Sequence, residues 1–191
     1  MTVNPAASSI YDKAARAAST SQSNNTATLN PVAIQRGTDI DAEGGMDRSG
    51  TSVSMNAAGT RVAIGAINND GNGASAGHVR IYEYSSNSWN LLHNDIDAES
   101  PADKSGESVS MNAAGDRVAI GAGFNDGSAA DAGHVRIYEY SSDSWTQLGS
   151  DIDGEAANDN SGQSVSMNDA GTRIAIGAIN NDGNGASAGH V

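Results

Sequence analysis

The chain contains no cysteine, which excludes disulfides, thiolate metal centres and cysteine nucleophiles. Three prolines, one phenylalanine and only 4% aromatic residues exclude a core built on large rings. Basic residues are scarce, with 10 Lys+Arg against 23 Asp+Glu and a formal charge of −13. A surface so acidic repels phosphate backbones and anionic lipid, so neither a nucleic-acid partner nor a polybasic membrane contact is expected. No run approaches the roughly 18 apolar residues of a membrane helix, so membrane insertion is not expected. The opening residues, Met1 to Pro5, show no basic region or apolar stretch of a secretory signal. What fills the 191 residues instead is Gly, Ala, Ser and Asn, with 37% hydrophobic residues overall. Any core must therefore be made largely of small side chains.

The sequence is dominated by an internal repeat. Ser-Val-Ser-Met-Asn occurs at Ser52–Asn56, Ser108–Asn112 and Ser164–Asn168, at intervals of 56 residues. Gly-His-Val returns at the same spacing at Gly77–Val79, Gly133–Val135 and Gly189–Val191, as does Asp-Ile-Asp at Asp39–Asp41, Asp95–Asp97 and Asp151–Asp153. Ala63–Val79 and Ala175–Val191 are identical over 17 residues. No gap is needed, so loops are fixed in length along with the elements they join. The units run 37–92, 93–148 and 149–191, the last incomplete, after an arm at 1–36.

Within a unit the apolar period is near two, which predicts strands. Val53 and Met55 share one face of a first strand, and Asn56-Ala57-Ala58-Gly59 reads as a turn. The second strand, Arg61 to Ala66, carries only Ala63 and Gly65 on its other face, which permits close approach of another layer. A Gly/Asn/Asp loop leads to a third strand, His78 to Tyr84, and a fourth begins at Trp89 and runs through Leu91 and Leu92. The expected fold is all-β. Four antiparallel strands per unit, repeated at fixed length, predict blades of a β-propeller-type array of about 2.7 units. The alternative is a parallel β-helix, in which 56 residues would span two or three dissimilar coils.

The unit resembles the FG-GAP repeat of integrin α-subunit propellers and their microbial relatives. Gly106-Glu107-Ser108-Val109-Ser110 stands at the family's Phe-Gly-x-Ser-Val, with Ser105 replacing the Phe. Val118–Ala122 matches the apolar-Gly-Ala-Pro segment with Gly123 in place of Pro, and Gly133–Tyr138 matches the Gly-x-Val-x-apolar-Tyr strand. The likeness covers residues 37–191 and is similar to surface arrays of marine microbes in its Gly149–Glu155 and Ser144–Gly149 links. It implies an adhesion or display role and a closed ring of about seven units, within the usual four to eight blades. Many such blades carry an Asp-x-Asn-x-Asp-Gly calcium loop where this chain has Asn56-Ala57-Ala58-Gly59-Thr60, which lacks a carboxylate.

The resemblance makes the chain either a fragment of a longer protein or one partner in a homo-oligomer whose copies complete each other. In residues 1–36, Asn4 and Pro5 suit the start of a short helix with Ile10, Ala14 and Ala17 along it. Ser19–Thr28 reads as a polar linker, and residues 31–35 offer one further strand. The arm is expected to anchor the chain to a larger assembly.

Several residues carry chemistry. Asn68-x-Asp70-x-Asn72-Gly73 and its copy Asn180-x-Asp182-x-Asn184-Gly185 alternate oxygen ligands as calcium loops do. The competing reading is an Asn/Asp/Gly turn. Calcium at these loops is the sole cofactor expectation. The acidic group Asp39, Asp41, Glu43 and Asp47 recurs in each unit and reads as a solvated inter-unit loop. His78, His134 and His190 recur one per unit, at the start of a strand, and their mutual separation argues against a shared metal. Trp89 and Trp145, with Tyr82, Tyr84, Tyr138 and Tyr140, read as strand packing rather than a glycan-stacking surface. No serine elbow with a convergent His and Asp is recognised in the sequence, so no catalytic residue is expected. The expectation is a non-enzymatic scaffold at a virion surface, as a tail or head fibre, or at a cell surface, displaying repeated loops to a protein or glycan receptor. Its rivals are a ligand-free spacer docked through the arm, and a propeller lectin or hydrolase domain.

Overall fold

A computed structural model describes residues 35–191. The expected N-terminal helix, linker and most of the extra strand at 31–35 lie outside the described residues. The chain divides into two units, Met1–Arg36 and Gly37–Val191, and every described strand belongs to the second.

All described elements are strands. β1 (Ser49–Met55), β2 (Arg61–Ala66), β3 (His78–Ser85) and β4 (Ser88–Leu91) form one antiparallel sheet in chain order, and the two-residue β5 (Ile96–Asp97) adds to the free edge of β3. β6 (Ser108–Met111), β7 (Arg117–Ala122), β8 (His134–Ser141), β9 (Ser144–Gln147) and β10 (Ile152–Asp153) repeat the arrangement. β11 (Ser161–Met167) and β12 (Ile174–Ala178) start a third sheet. Register repeats with the sequence: Val62 opposes Tyr82 as Val118 opposes Tyr138. The Asp-Ile-Asp links, read from sequence as solvated loop, are thus partly strand. Ile96 and Asp97 pair with Val79 and His78, and Ile96 is buried.

The turn between first and second strands is locked by one asparagine. The Asn56 carboxamide oxygen accepts from the Thr60 and Arg61 amides at 2.8 and 2.9 Å. Asn112 does the same for Gly115, Asp116 and Arg117. Asn suits this position because its short side chain mimics a backbone carbonyl.

Successive sheets meet face to face, and the faces differ. Ala63, Val79 and Ile81 of the first sheet pack on Val109, Met111, Val118, Ile120 and Tyr138 of the second. The small side of one sheet receives the large side of the next. Gly65 lies so close to the second sheet that a Cβ there would collide with the Gly106 carbonyl, and Gly121 stands in the same relation to the Gly162 carbonyl. Gly106 and Gly162 also have φ of 89°, a region closed to most side chains. Side-chain bonds cross the same seams. Ser52 Oγ donates to Gly106 O at 2.6 Å, and Ser108 Oγ to Gly162 O at 2.7 Å. The Met111 amide donates to Ser54 Oγ and the Met167 amide to Ser110 Oγ, each at 2.9 Å. Loop tips join as well, Ala57 N to Ala113 O and Ala113 N to Asp169 O. The pattern Ser-Val-Ser-Met therefore places its serines toward one neighbour and its apolar residues toward the other.

Candidate functional site

Three sets of side chains recur at the seams. The first is buried. Asp47, Asp103 and Asp159, expected in a solvated acidic loop, are 7%, 2% and 3% exposed, which corrects that reading. Asp103 Oδ2 accepts from the Ser100 amide at 2.9 Å and from Asn125 Nδ2 at 3.1 Å. Asp47 binds Gly44 N and Asn69 Nδ2 in the same way, and Asp159 binds Ala156 N and Asn181 Nδ2. A buried carboxylate is tolerated only when its oxygens are satisfied, and here the bonds tie the link between units to the Gly/Asn/Asp loop.

The second set is that loop. Asp70 Oδ1 accepts from the Ser75 amide, and Asp182 Oδ1 from the Ser187 amide, at 2.7 and 2.6 Å. Asn72 Nδ2 donates to Ala98 O, and Asn180 Nδ2 to Asn160 Oδ1. The Asn68 amide donates to Asp47 O. Asp70, Asn72, Asp182 and Asn184 are exposed, whereas Asn68 and Asn180 are half-buried. These are the expected calcium positions. A calcium ion there would compete with turn bonds already made by one oxygen of each aspartate.

The third set went unrecognised in the sequence. Glu43, His78 and Asp95 bring one ligand atom each within 4.8 Å of one another, and Glu99, His134 and Asp151 repeat the cluster. Each histidine begins the third strand of its sheet, Glu43 and Glu99 lie in the incoming link, and Asp95 and Asp151 in the outgoing one. The register of β5 and β10, with Asp97 opposite His78 and Asp153 opposite His134, carries the preceding Asp95 and Asp151 to the histidines. His78 Nδ1 is 3.5 Å from Asp95 Oδ2 and 4.0 Å from Glu43 Oε2. His134 Nδ1 is 3.6 Å from Asp151 Oδ2 and 3.9 Å from Glu99 Oε2. His190 lies 3.9 Å from Glu155. The histidines do not converge on each other, as expected, but His78 and His134 each converge on a glutamate of their own unit and an aspartate that opens the next. The available signal was constancy of offset: Glu, His and Asp recur together every 56 residues.

An arginine backs each cluster. Arg80 Nη2 is 3.7 Å from Glu43 Oε1 and its Nε 3.4 Å from Asp95 Oδ1; Arg136 Nη1 is 3.8 Å from Glu99 Oε1, and its Nη2 donates to Asp97 O at 2.7 Å. Burial, then the neighbouring Arg136, push the His134 imidazole below its ordinary value. Burial also pushes up the carboxyl of Glu107, which lies between the second and third sheets.

The aromatic residues pack. Tyr84 and Trp89 stand 5.1 Å apart, as do Tyr140 and Trp145, and Trp145 Nε1 donates to Leu92 O. Trp145 also closes a shallow cleft of about 270 Å³ lined with His93, Asp95, Asp97 and Tyr138. No model of a known protein family matches the chain, and no curated protein does.

Proposed function

We propose that the chain is a segment of a propeller-type array of FG-GAP character that acts as a non-enzymatic display scaffold. The seams support this reading. Each sheet presents its small face to the large face of the next, through the same glycine and serine contacts, so one packing operation generates the whole array. In this reading Val53 and Met55, 64% and 53% exposed, stand where Val109 and Met111 are buried under a preceding sheet. They mark a face that another unit covers, from the rest of a longer chain or from a second copy.

The single observation that carries the display role is the exposed loop tip at residues 70–72, with its copy at 182–184. It is held from below by the buried Asp47–Asn69 and Asp159–Asn181 pairs. A fixed base with an exposed tip, repeated at a set distance, suits weak contacts that add through multivalency. The setting we propose is a virion or cell surface, with a protein or glycan receptor, and the arm at 1–36 as the attachment to a larger assembly.

The test is adhesion of the immobilised full chain to cells and to a glycan panel. Changing Asp70 and Asn72 to alanine in the first loop is expected to weaken retention more than tenfold, because avidity falls steeply when one of two contacts is lost. Changing Asp182 and Asn184 as well should abolish it. Retention that ignores both loops would place the binding surface elsewhere. No retention of the parent chain on any surface would remove the display role and leave a spacer.

A further inference from the structure

The geometry points to a divalent-metal site at each Glu-His-Asp cluster, Glu43/His78/Asp95 and Glu99/His134/Asp151, for a zinc-class ion that takes mixed nitrogen and oxygen ligands. The site stands independently of the partner-binding reading.

The first observation is a histidine nitrogen without a partner. His134 is 1% exposed, and its Nδ1 makes no hydrogen bond. Such a buried polar atom costs about 1–3 kcal/mol unless something meets it. It faces two carboxylate oxygens at 3.6 and 3.9 Å, both too far for a hydrogen bond. Zinc-class ions bond imidazole nitrogen and carboxylate oxygen at about 2.0–2.2 Å, which sets tetrahedral ligand atoms about 3.4 Å apart. The nitrogen–oxygen separations, 3.5–4.0 Å, exceed that spacing by about 0.1–0.6 Å, and the three ligand atoms of each cluster already lie within 4.8 Å of one another, so modest side-chain adjustment would enclose such an ion.

The second observation is how the oxygens are shared. Glu43 turns Oε2 to the histidine and Oε1 to Arg80, and Asp95 divides its Oδ2 and Oδ1 in the same way. In the second cluster Glu99 is divided between His134 and Arg136, while Asp151 Oδ1 accepts from Gln147 Nε2 at 2.6 Å. One oxygen of each acid therefore points at the histidine nitrogen, while its other oxygen faces a positioning group, as in well-built metal centres. Two carboxylates against one arginine leave a net negative charge for the ion to meet. Imidazole selects zinc, nickel or copper over calcium and magnesium, which prefer oxygen alone. The glutamates, 46% and 44% exposed at the side chain, leave a route from solvent. Three protein ligands also leave a coordination position open to water or to a group from a bound partner.

The experiment is calorimetric titration of the full, metal-free chain with zinc chloride, together with visible absorption after cobalt(II) loading. Two zinc ions per chain are expected, one for each cluster, with cobalt bands of low coordination number. The double variant Glu43→Gln with Glu99→Gln removes one ligand per site at half-exposed positions. It should melt with the parent in metal-free buffer and bind zinc more than about tenfold weaker, a loss seen even for outer-shell partners alone. His134→Asn should remove one of the two ions. The proposal is overturned if the parent takes up no zinc at micromolar free ion, or if the double variant binds as the parent does.

Discussion

Gly121→Ala is expected to destabilise the chain by roughly 3 kcal/mol or more, at the top of the range for overpacking. A chain of this size loses about 2–4 °C per kcal/mol, so the melting temperature should fall by roughly 6–12 °C. Gly121 does not have positive φ, so alanine is acceptable to its own backbone. The cost arises wholly from outside the residue. The new Cβ would meet the Gly162 carbonyl, a backbone atom of the next sheet that cannot rotate away. The two sheets would have to part, exposing the seam and loosening the Ser108–Gly162 bond. Gly177 occupies the same place in the third sheet and supplies the control. A Cβ there meets the Ser164 hydroxyl, a side chain that can turn, and no backbone atom of another sheet. Gly177→Ala should cost less than about 1 kcal/mol and could stabilise the strand, since glycine is a poor strand residue by roughly that amount. Equal losses at the two positions, followed by thermal denaturation, would show that the clash at the seam is not what matters.

Asp103→Ala carries the second large effect. The side chain is 2% exposed and accepts from two donors, the Ser100 amide and Asn125 Nδ2. Alanine leaves both without their acceptor, and each unsatisfied buried group costs about 1–3 kcal/mol. A loss on the order of 3 kcal/mol is expected in urea denaturation. Asp103→Asn keeps a carbonyl oxygen that can accept from the same donors, so it should cost less than half as much. Loop mobility should follow the same order. The Asn125 side chain also orders its own turn by accepting from the Gly127 amide, so the alanine variant should speed proteolysis within 125–132. If alanine and asparagine variants behave alike, the bonds to Ser100 and Asn125 are not holding the loop.

Much of the fold could be read from the residues because the repeat supplied two or three copies of each signal. Second strands at Arg61–Ala66 and Arg117–Ala122 fall where the alternation places them. The small face of Ala63 and Gly65 correctly announced a close layer, since nothing but another backbone explains a strand face without side chains. The two-residue strands β5 and β10 were not legible: Ile96 and Asp97 are too few to show a period, and their pairing with Val79 and His78 is fixed by tertiary contact. The acidic links were misread for a related reason. Asp39, Asp41, Glu43 and Asp47 look alike as letters, yet Asp47 turns inward to Asn69 while Glu43 turns toward His78. Composition cannot separate a carboxylate that satisfies a buried amide from one that faces solvent. The Glu-His-Asp clusters were hidden because their members stand in three different elements, joined only by sheet register. The Asn/Asp/Gly loops were open to two readings in the sequence, calcium loops or turns, and in the structure Asp70 and Asp182 accept from turn amides.

The measurement that tests the interlocked stack most directly is amide hydrogen exchange at Met111 and Met167. Both residues lie on edge strands, β6 and β11, and both amides donate across a seam to a serine hydroxyl, Ser54 and Ser110. In an isolated sheet such outward amides would meet water and exchange quickly. Stacked sheets should protect both to a degree comparable with the amides of β7, and Ser54→Ala should release Met111 while leaving Met167 slow. Rapid exchange of both in the parent chain, with β7 still protected, would mean that the sheets form but do not stack, and would contradict the interlocked arrangement.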